Sequence, residues 1–76
     1  MKNDNQYLLK FGNRLRKLRI KQGYTSLERF AFDNEISRSL YSDYESGKGN
    51  ITLKNLVKLT EALDISLKDF FSEGFD

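Results

Sequence analysis

Apolar residues recur along this chain at steps of three and four, with no strand-like alternation, so the pattern is helical throughout. Leu8, Phe11, Leu15 and Leu18 form the first stripe. They predict a helix over residues 7–22, stopped by Gly23, with Gly12 on the side away from the stripe. Thr25-Ser26-Leu27-Glu28 reads as a capping box, Thr25 the N-cap and Glu28 its partner. It opens a second helix over 26–33 with Leu27, Phe30 and Ala31 inward. Phe32 falls away from Leu27 and is either a second-sided core residue or an exposed aromatic. Ser37 caps a third helix over 37–46 that buries Tyr41 and Tyr44, their hydroxyls at the boundary. After Gly47 and Gly49, Thr52 caps a fourth helix over 53–63 with Leu53, Leu56, Leu59 (or Val57) and Leu63 inward. Asp64 ends it where glycine is the usual residue. Ser66-Leu67-Lys68-Asp69 is a second capping box and opens a short helix over 67–71 bearing Leu67, Phe70 and Phe71.

The expected core is Leu8, Phe11, Leu15, Leu18, Phe30, Ala31, Ile36, Tyr41, Tyr44, Leu53, Leu56, Leu59, Leu63, Ile65 and Phe70. Loops are short and proline is absent, so the pattern describes a compact all-α five-helix bundle. It reads as one domain over residues 1–76, its core in 7–71 and its ends, 1–6 and 72–76, frayed.

Composition narrows the chemistry. Without cysteine there is neither a disulfide nor a thiolate metal site, and without histidine imidazole acid–base chemistry is impossible. No metal and no cofactor is expected. Asp43 and Glu45 diverge on a helix, and Gly47-Lys48-Gly49 is too short for a nucleotide-binding loop, so catalysis is not expected either. No signal peptide or membrane span is evident, which points to the cytoplasm. The formal net charge is +2, unevenly spread. Residues 1–38 carry nine Lys/Arg against four Asp/Glu, and residues 39–76 carry four against seven. Such asymmetry can orient a small protein on a polyanion, although Arg14, Arg16, Lys17, Arg19 and Lys21 also read as the solvated face of a helix.

The second and third helices are separated by only Asn34 to Ile36, the spacing of a helix-turn-helix. The third has an apolar side, Tyr41 and Tyr44, and a slim polar side, Arg38, Ser39, Ser42 and Asp43, clustered because 38 and 42, like 39 and 43, are one turn apart. That is the form of a helix that enters a major groove, where an arginine fork matches guanine O6 and N7.

The chain resembles the phage-repressor-like helix-turn-helix family, which includes phage repressor domains, restriction–modification controllers and small antitoxins. The likeness is carried by Arg14-Leu15-Arg16-Lys17-Leu18-Arg19, Gly23-Tyr24-Thr25, Phe30-Ala31, Ile36-Ser37-Arg38-Ser39, Tyr44-Glu45-Ser46-Gly47-Lys48, Leu53 through Ala62-Leu63, Ile65-Ser66 and Phe70-Phe71. The resemblance implies a regulator of transcription that binds double-stranded DNA as a homodimer, with no small-molecule ligand. It places Arg38, Ser39, Ser42 and Asp43 toward the bases and Ser37, Gly47 and Lys48 at the backbone. Ser26 stands where the family carries a glutamine that contacts the backbone. Arg19 and Glu45 align with an ion pair joining the first helix to the end of the third. The dimer surface is expected in the Asn50–Thr52 loop and the fifth helix, with Phe71 and Phe75.

Three departures accompany the likeness. The stretch from Gly23 to Phe30 is one residue longer than usual. The turn has Asn34-Glu35 in place of glycine, so Asn34 is expected to take the left-handed conformation. Asp43 puts a carboxylate on the groove side, where it either accepts from cytosine N4, steers Arg38, or marks a member that does not read DNA in the usual way. The alternative function is a protein-interaction module, such as the antitoxin or repressor subunit of a two-component complex. An apolar patch over Phe32 or Leu40 would favour it, and an exposed basic face with Arg38 and Lys48 would favour DNA.

Overall fold

Each of the five expected helices forms, and the last four begin on a hydroxyl side chain. The structure, a computed structural model, describes residues 4–75, with side chains from Gln6 to Phe75. Helix α1 spans Asp4–Lys21, α2 Leu27–Asp33, α3 Arg38–Ser46, α4 Leu53–Ala62 and α5 Leu67–Phe70; no strand occurs among the described residues. Ser26, Ser37, Thr52 and Ser66 accept the backbone N–H of Arg29, Leu40, Asn55 and Asp69. Each such cap satisfies an otherwise unpaired donor and is worth about 1 kcal/mol. The second helix therefore starts on Ser26 rather than Thr25.

Helices α1 to α4 end in one backbone motif. The N–H groups of Tyr24, Ile36, Lys48 and Ile65 reach back five residues to the carbonyls of Arg19, Ala31, Asp43 and Thr60. The residue before each is left-handed: Gly23 at φ 106°, Glu35 at 56°, Gly47 at 77° and Asp64 at 56°. This is the Schellman ending, which favours glycine at that position. The expectation that Asn34 takes the left-handed role is overturned. Asn34 sits one residue earlier at φ −103°, and its side-chain amide donates to the Phe30 carbonyl at 2.9 Å. Glu35 carries the strain in its place.

Phe11, Leu15, Phe30, Ala31, Tyr41, Tyr44, Leu59, Leu63 and Phe70 form the buried core, all of them expected. Leu18, Ile36, Leu56 and Ile65 pack on its edge, joined by Tyr24, Leu27, Ile51 and Phe75. Leu8 is half-buried. Leu53 departs from expectation and is 69% exposed. It is the first residue of α4, and side chains in a first turn lean back beyond the helix end, past the layer they would otherwise join. Ile51, just before the cap, packs against the core there.

Gly12 is also not where the stripe puts it. It is buried, and a Cβ at this position would lie 2.2 Å from the Glu45 carbonyl oxygen and 2.7 Å from that of Tyr44. Helices α1 and α3 thus cross at backbone contact, which only glycine permits. Gly47 continues the contact, since a Cβ there would meet the Leu9 side chain and backbone.

Contacts extend to both ends of the described residues. Helix α1 already includes residues 4–6, and Phe75 packs on Phe70 and Phe71 at ring separations of 6.3 and 5.0 Å. Residues 1–3 and 76 lie outside the described residues. Arg14 fixes α5: its Nε donates to the Phe70 carbonyl and its Nη2 to that of Asp69, both at 2.8 Å. Cations and donors at a helix C-terminus satisfy its free carbonyls.

Two expected outcomes test these local arguments by urea denaturation. Glu35→Gly and Asp64→Gly should each stabilise the fold by about 1 kcal/mol, since they relieve a left-handed L-residue. Gly12→Ala should destabilise it by about 3 kcal/mol or more, because the methyl group meets backbone rather than a movable side chain.

Candidate nucleic-acid interface

The third helix is held from behind. Tyr41 and Tyr44 are buried, and Tyr44 accepts a hydrogen bond from Asn55 Nδ2 of α4 at 3.2 Å. The Tyr41 hydroxyl lies inside the core rather than at the boundary and has no protein hydrogen-bond partner. Burial, and then the nearby Glu45 carboxylate, push its pKa far up, so it stays a neutral phenol. The turn before the helix is tied to α4 by Lys58, whose Nζ donates to the Glu35 carbonyl at 3.0 Å.

Arg19 and Glu45 form the expected pair between α1 and the end of α3. Arg19 Nε donates to Glu45 Oε2 at 2.7 Å and Nη2 to Oε1 at 3.3 Å. The side chains are 6% and 8% exposed. The third guanidinium nitrogen, Nη1, donates to the Tyr24 carbonyl at 2.7 Å. The hydrogen bond to Glu45 holds the Arg19 pKa above its ordinary value against the desolvation that lowers it. Two charges can be buried here because they face each other as a fork on a carboxylate, with the spare donor used.

On the opposite side of α3, Arg38, Ser39 and Asp43 are exposed and Ser42 is half-buried. They occupy the first two turns of the helix, so the structure brings the four residues expected on the groove side together on one face. Ser37 caps the helix, its Oγ accepting the Leu40 N–H at 3.3 Å. Beyond the left-handed Gly47, the exposed Lys48 donates its backbone N–H to the Asp43 carbonyl at 2.9 Å. The loop turns back along α3 at Gly49, which lies against Tyr44 and Asp43. Ser26 sits at the start of α2 with its hydroxyl engaged twice, accepting from the Arg29 N–H at 3.1 Å and donating to Glu28 Oε1 at 3.2 Å.

Glu28, expected as the capping partner of Thr25, accepts from the Ser26 hydroxyl and reaches further. Its Oε2 accepts from Arg38 Nη2 at 3.1 Å, across from α2 to the first residue of α3. The residues are ten apart, a separation with no helical signature, so only the turn geometry brings them together. The basic face of α1 also needs revision. The Arg14 side chain is 11% exposed and spent on α5, whereas Arg16, Lys17 and Lys21 face solvent. Phe32 resolves as an exposed aromatic at 78% and Leu40 is 39% exposed, while Arg38 and Lys48 are exposed too. Among the described residues no group of His, Cys, Asp or Glu is placed to hold a metal ion. No helix there is long and apolar enough to cross a membrane.

This geometry has counterparts among known proteins. The family described as Helix-turn-helix matches residues 15–70, and the chain belongs to it. It is 41% identical over 69 residues to control protein C.MunI of Mycoplasma sp, covering 91% of this chain and 93% of that protein. It is 35% identical over 65 residues to control protein C.BamHI of Bacillus amyloliquefaciens, covering 86% and 80% respectively. The crystal structure of the restriction-modification controller protein C.AhdI from Aeromonas hydrophila superposes with a TM-score of 0.78 at 42% identity, covering 87% of this chain and 98% of that one. With these relatives and this fold, the chain is a DNA-binding regulator of transcription of the phage-repressor-like type.

Loss of either member of the buried pair leaves the other charge uncompensated. Arg19→Met and Glu45→Gln should each cost about 3–5 kcal/mol in denaturant unfolding. A cost below about 1 kcal/mol would mean that the pair behaves as an exposed one.

Proposed function

We propose that the chain acts as one domain in the cytoplasm and as a homodimer on a pseudopalindromic duplex, each protomer placing α3 in the major groove. The observation that carries this reading is the two-sidedness of α3. One side is locked by Tyr41, Tyr44 and Glu45; the other offers Arg38, Ser39 and Asp43 to solvent, with Ser42 beside them. Arg38 is the base reader, its fork directed at guanine O6 and N7. Ser39 and Ser42 keep the approach close, and Asp43 accepts from cytosine N4 or steers Arg38. Ser37, Gly47 and Lys48 hold the backbone, and the start of α2 at Ser26 lies beside it. By its likeness to the restriction-modification controller protein C.AhdI, the chain would act as a controller of a restriction–modification system.

Two arguments support a dimer. One short polar face reads only a few base pairs, and a net charge of +2 is a small endowment for tight monomeric binding. The protomer measures 35 × 24 × 23 Å, so two copies fit with recognition helices about 34 Å apart, one helical turn of DNA. Phe75 is partly consumed in the protomer's own core, which leaves the Asn50–Thr52 loop and the 44%-exposed Phe71 as the proposed contact.

Selection of bound duplexes from a random library, beside sedimentation of free protein and complex, tests this function. An enriched inverted repeat carrying two chains is the expected result. No enrichment, at low salt and high protein concentration, would shift the reading to a protein-interaction module. On the enriched duplex, Arg38→Ala should reduce discrimination at one base pair by about 1–3 kcal/mol. Lys48→Gln should weaken binding to all duplexes alike and lower the salt slope by roughly one.

A further inference from the structure

The contact between Glu28 and Arg38 is not needed by the packing. Both side chains are exposed, at 58% and 67%. Their carboxylate and guanidinium nevertheless meet at 3.1 Å at the edge of the proposed groove-facing surface. Glu28 is itself held at both oxygens, Oε1 by the Ser26 hydroxyl at 3.2 Å and Oε2 by Arg38 Nη2. Its own backbone N–H, and then Arg38, keep its pKa below the usual carboxylate range, so it is an anion at neutral pH. The N-cap of α2 is thereby connected through one carboxylate to the first residue of α3.

We propose that Glu28 is a positioning residue for DNA reading, which aims Arg38 and discourages it from binding phosphate on any sequence. The inference rests on the reading of Arg38 as a base-facing residue. A guanidinium has five N–H donors, so the bond to Glu28 leaves others for guanine O6 and N7. Arg38 then reaches the groove already oriented, with less rotamer freedom to lose. A phosphate drawn to Arg38 meets the Glu28 carboxylate beside it, and like charges at that range repel. The pair therefore lowers indiscriminate binding more than it lowers binding to a guanine-containing site. Glu28 acts here through Arg38 and not by touching DNA, so its effect on the ratio of the two affinities must vanish when Arg38 is gone.

The full chain is titrated with two duplexes, one enriched from a random library and one scrambled to the same composition, at several salt concentrations. Wild type, Glu28→Gln, Arg38→Ala and the double variant are compared, with a thermal melt to check that each is folded. Glu28→Gln keeps a hydrogen-bonding side chain at the position and removes only the charge. It should tighten binding to the scrambled duplex and reduce the ratio of enriched to scrambled affinity by about fivefold, the size of a strong exposed ion pair. Its salt slope should steepen by roughly one, as a cation is released for phosphate. In the Arg38→Ala background the same change should move both duplexes equally. An unchanged ratio in Glu28→Gln, or the same fall with and without Arg38, overturns the proposal. If Arg38→Ala alone leaves the ratio untouched, it is the base-reading role of Arg38 that fails, and the role of Glu28 with it.

Discussion

The crossing of α1 over α3 decides where the recognition helix stands, and it depends on the buried pair of Arg19 and Glu45 beside Gly12. Each charge loses most of its hydration there, a cost of several kcal/mol per ion unless the partner is well placed. The fork geometry, with a third donor used on the Tyr24 carbonyl, meets that condition. A small slide of α3 along α1 would break two charge-assisted hydrogen bonds and move the carbonyls of Tyr44 and Glu45 away from the position on α1 that has no side chain to obstruct them. Together the pair and the glycine fix register in a way that apolar packing alone does less sharply.

With α3 fixed from behind, the remaining contacts set its approach. The turn is shaped by the left-handed Glu35 and tied to α4 by Lys58, so the connection between the second and third helices is anchored on the fourth. The loop after α3 is folded back by Gly47 and Gly49, which brings Lys48 to the end of the same helix that starts with Arg38. In the proposed reading, a cation at each end with two small hydroxyls and a carboxylate between them would suit discrimination more than electrostatic grip. That agrees with the thin positive charge of the chain, part of which is already engaged within the protomer: Arg19 is buried, Arg14 clamps α5 and the exposed Arg38 meets Glu28.

The helices, the caps at Ser37, Thr52 and Ser66 and most of the core were legible in the sequence because they depend on local rules, whereas the cap of α2 falls on Ser26 and not on the expected Thr25. Hydrophobic steps of three and four define buried faces, and Ser26, Ser37, Thr52 and Ser66 cap helices through atoms three residues away. The stops at Gly23 and Gly47 and the clustering of Arg38, Ser39, Ser42 and Asp43 are equally local. Arg19 and Glu45 were reached through family resemblance, since nothing in a 26-residue separation marks a pair. Tertiary structure alone decided the rest. Gly12 reads as a blemish on a helix face, and its role lies in the second backbone packed against it. Leu53 carried the right spacing but stood past the end of the layer. The left-handed residue fell on Glu35 because the five-residue bond from Ile36 to Ala31 fixes that position, whatever residue fills it. Glu28 met Arg38 only because the turn brings two helix starts together. In each case a periodic pattern reports which side of a helix faces inward, whereas what lies opposite, and how closely, is set by a chain segment distant in sequence.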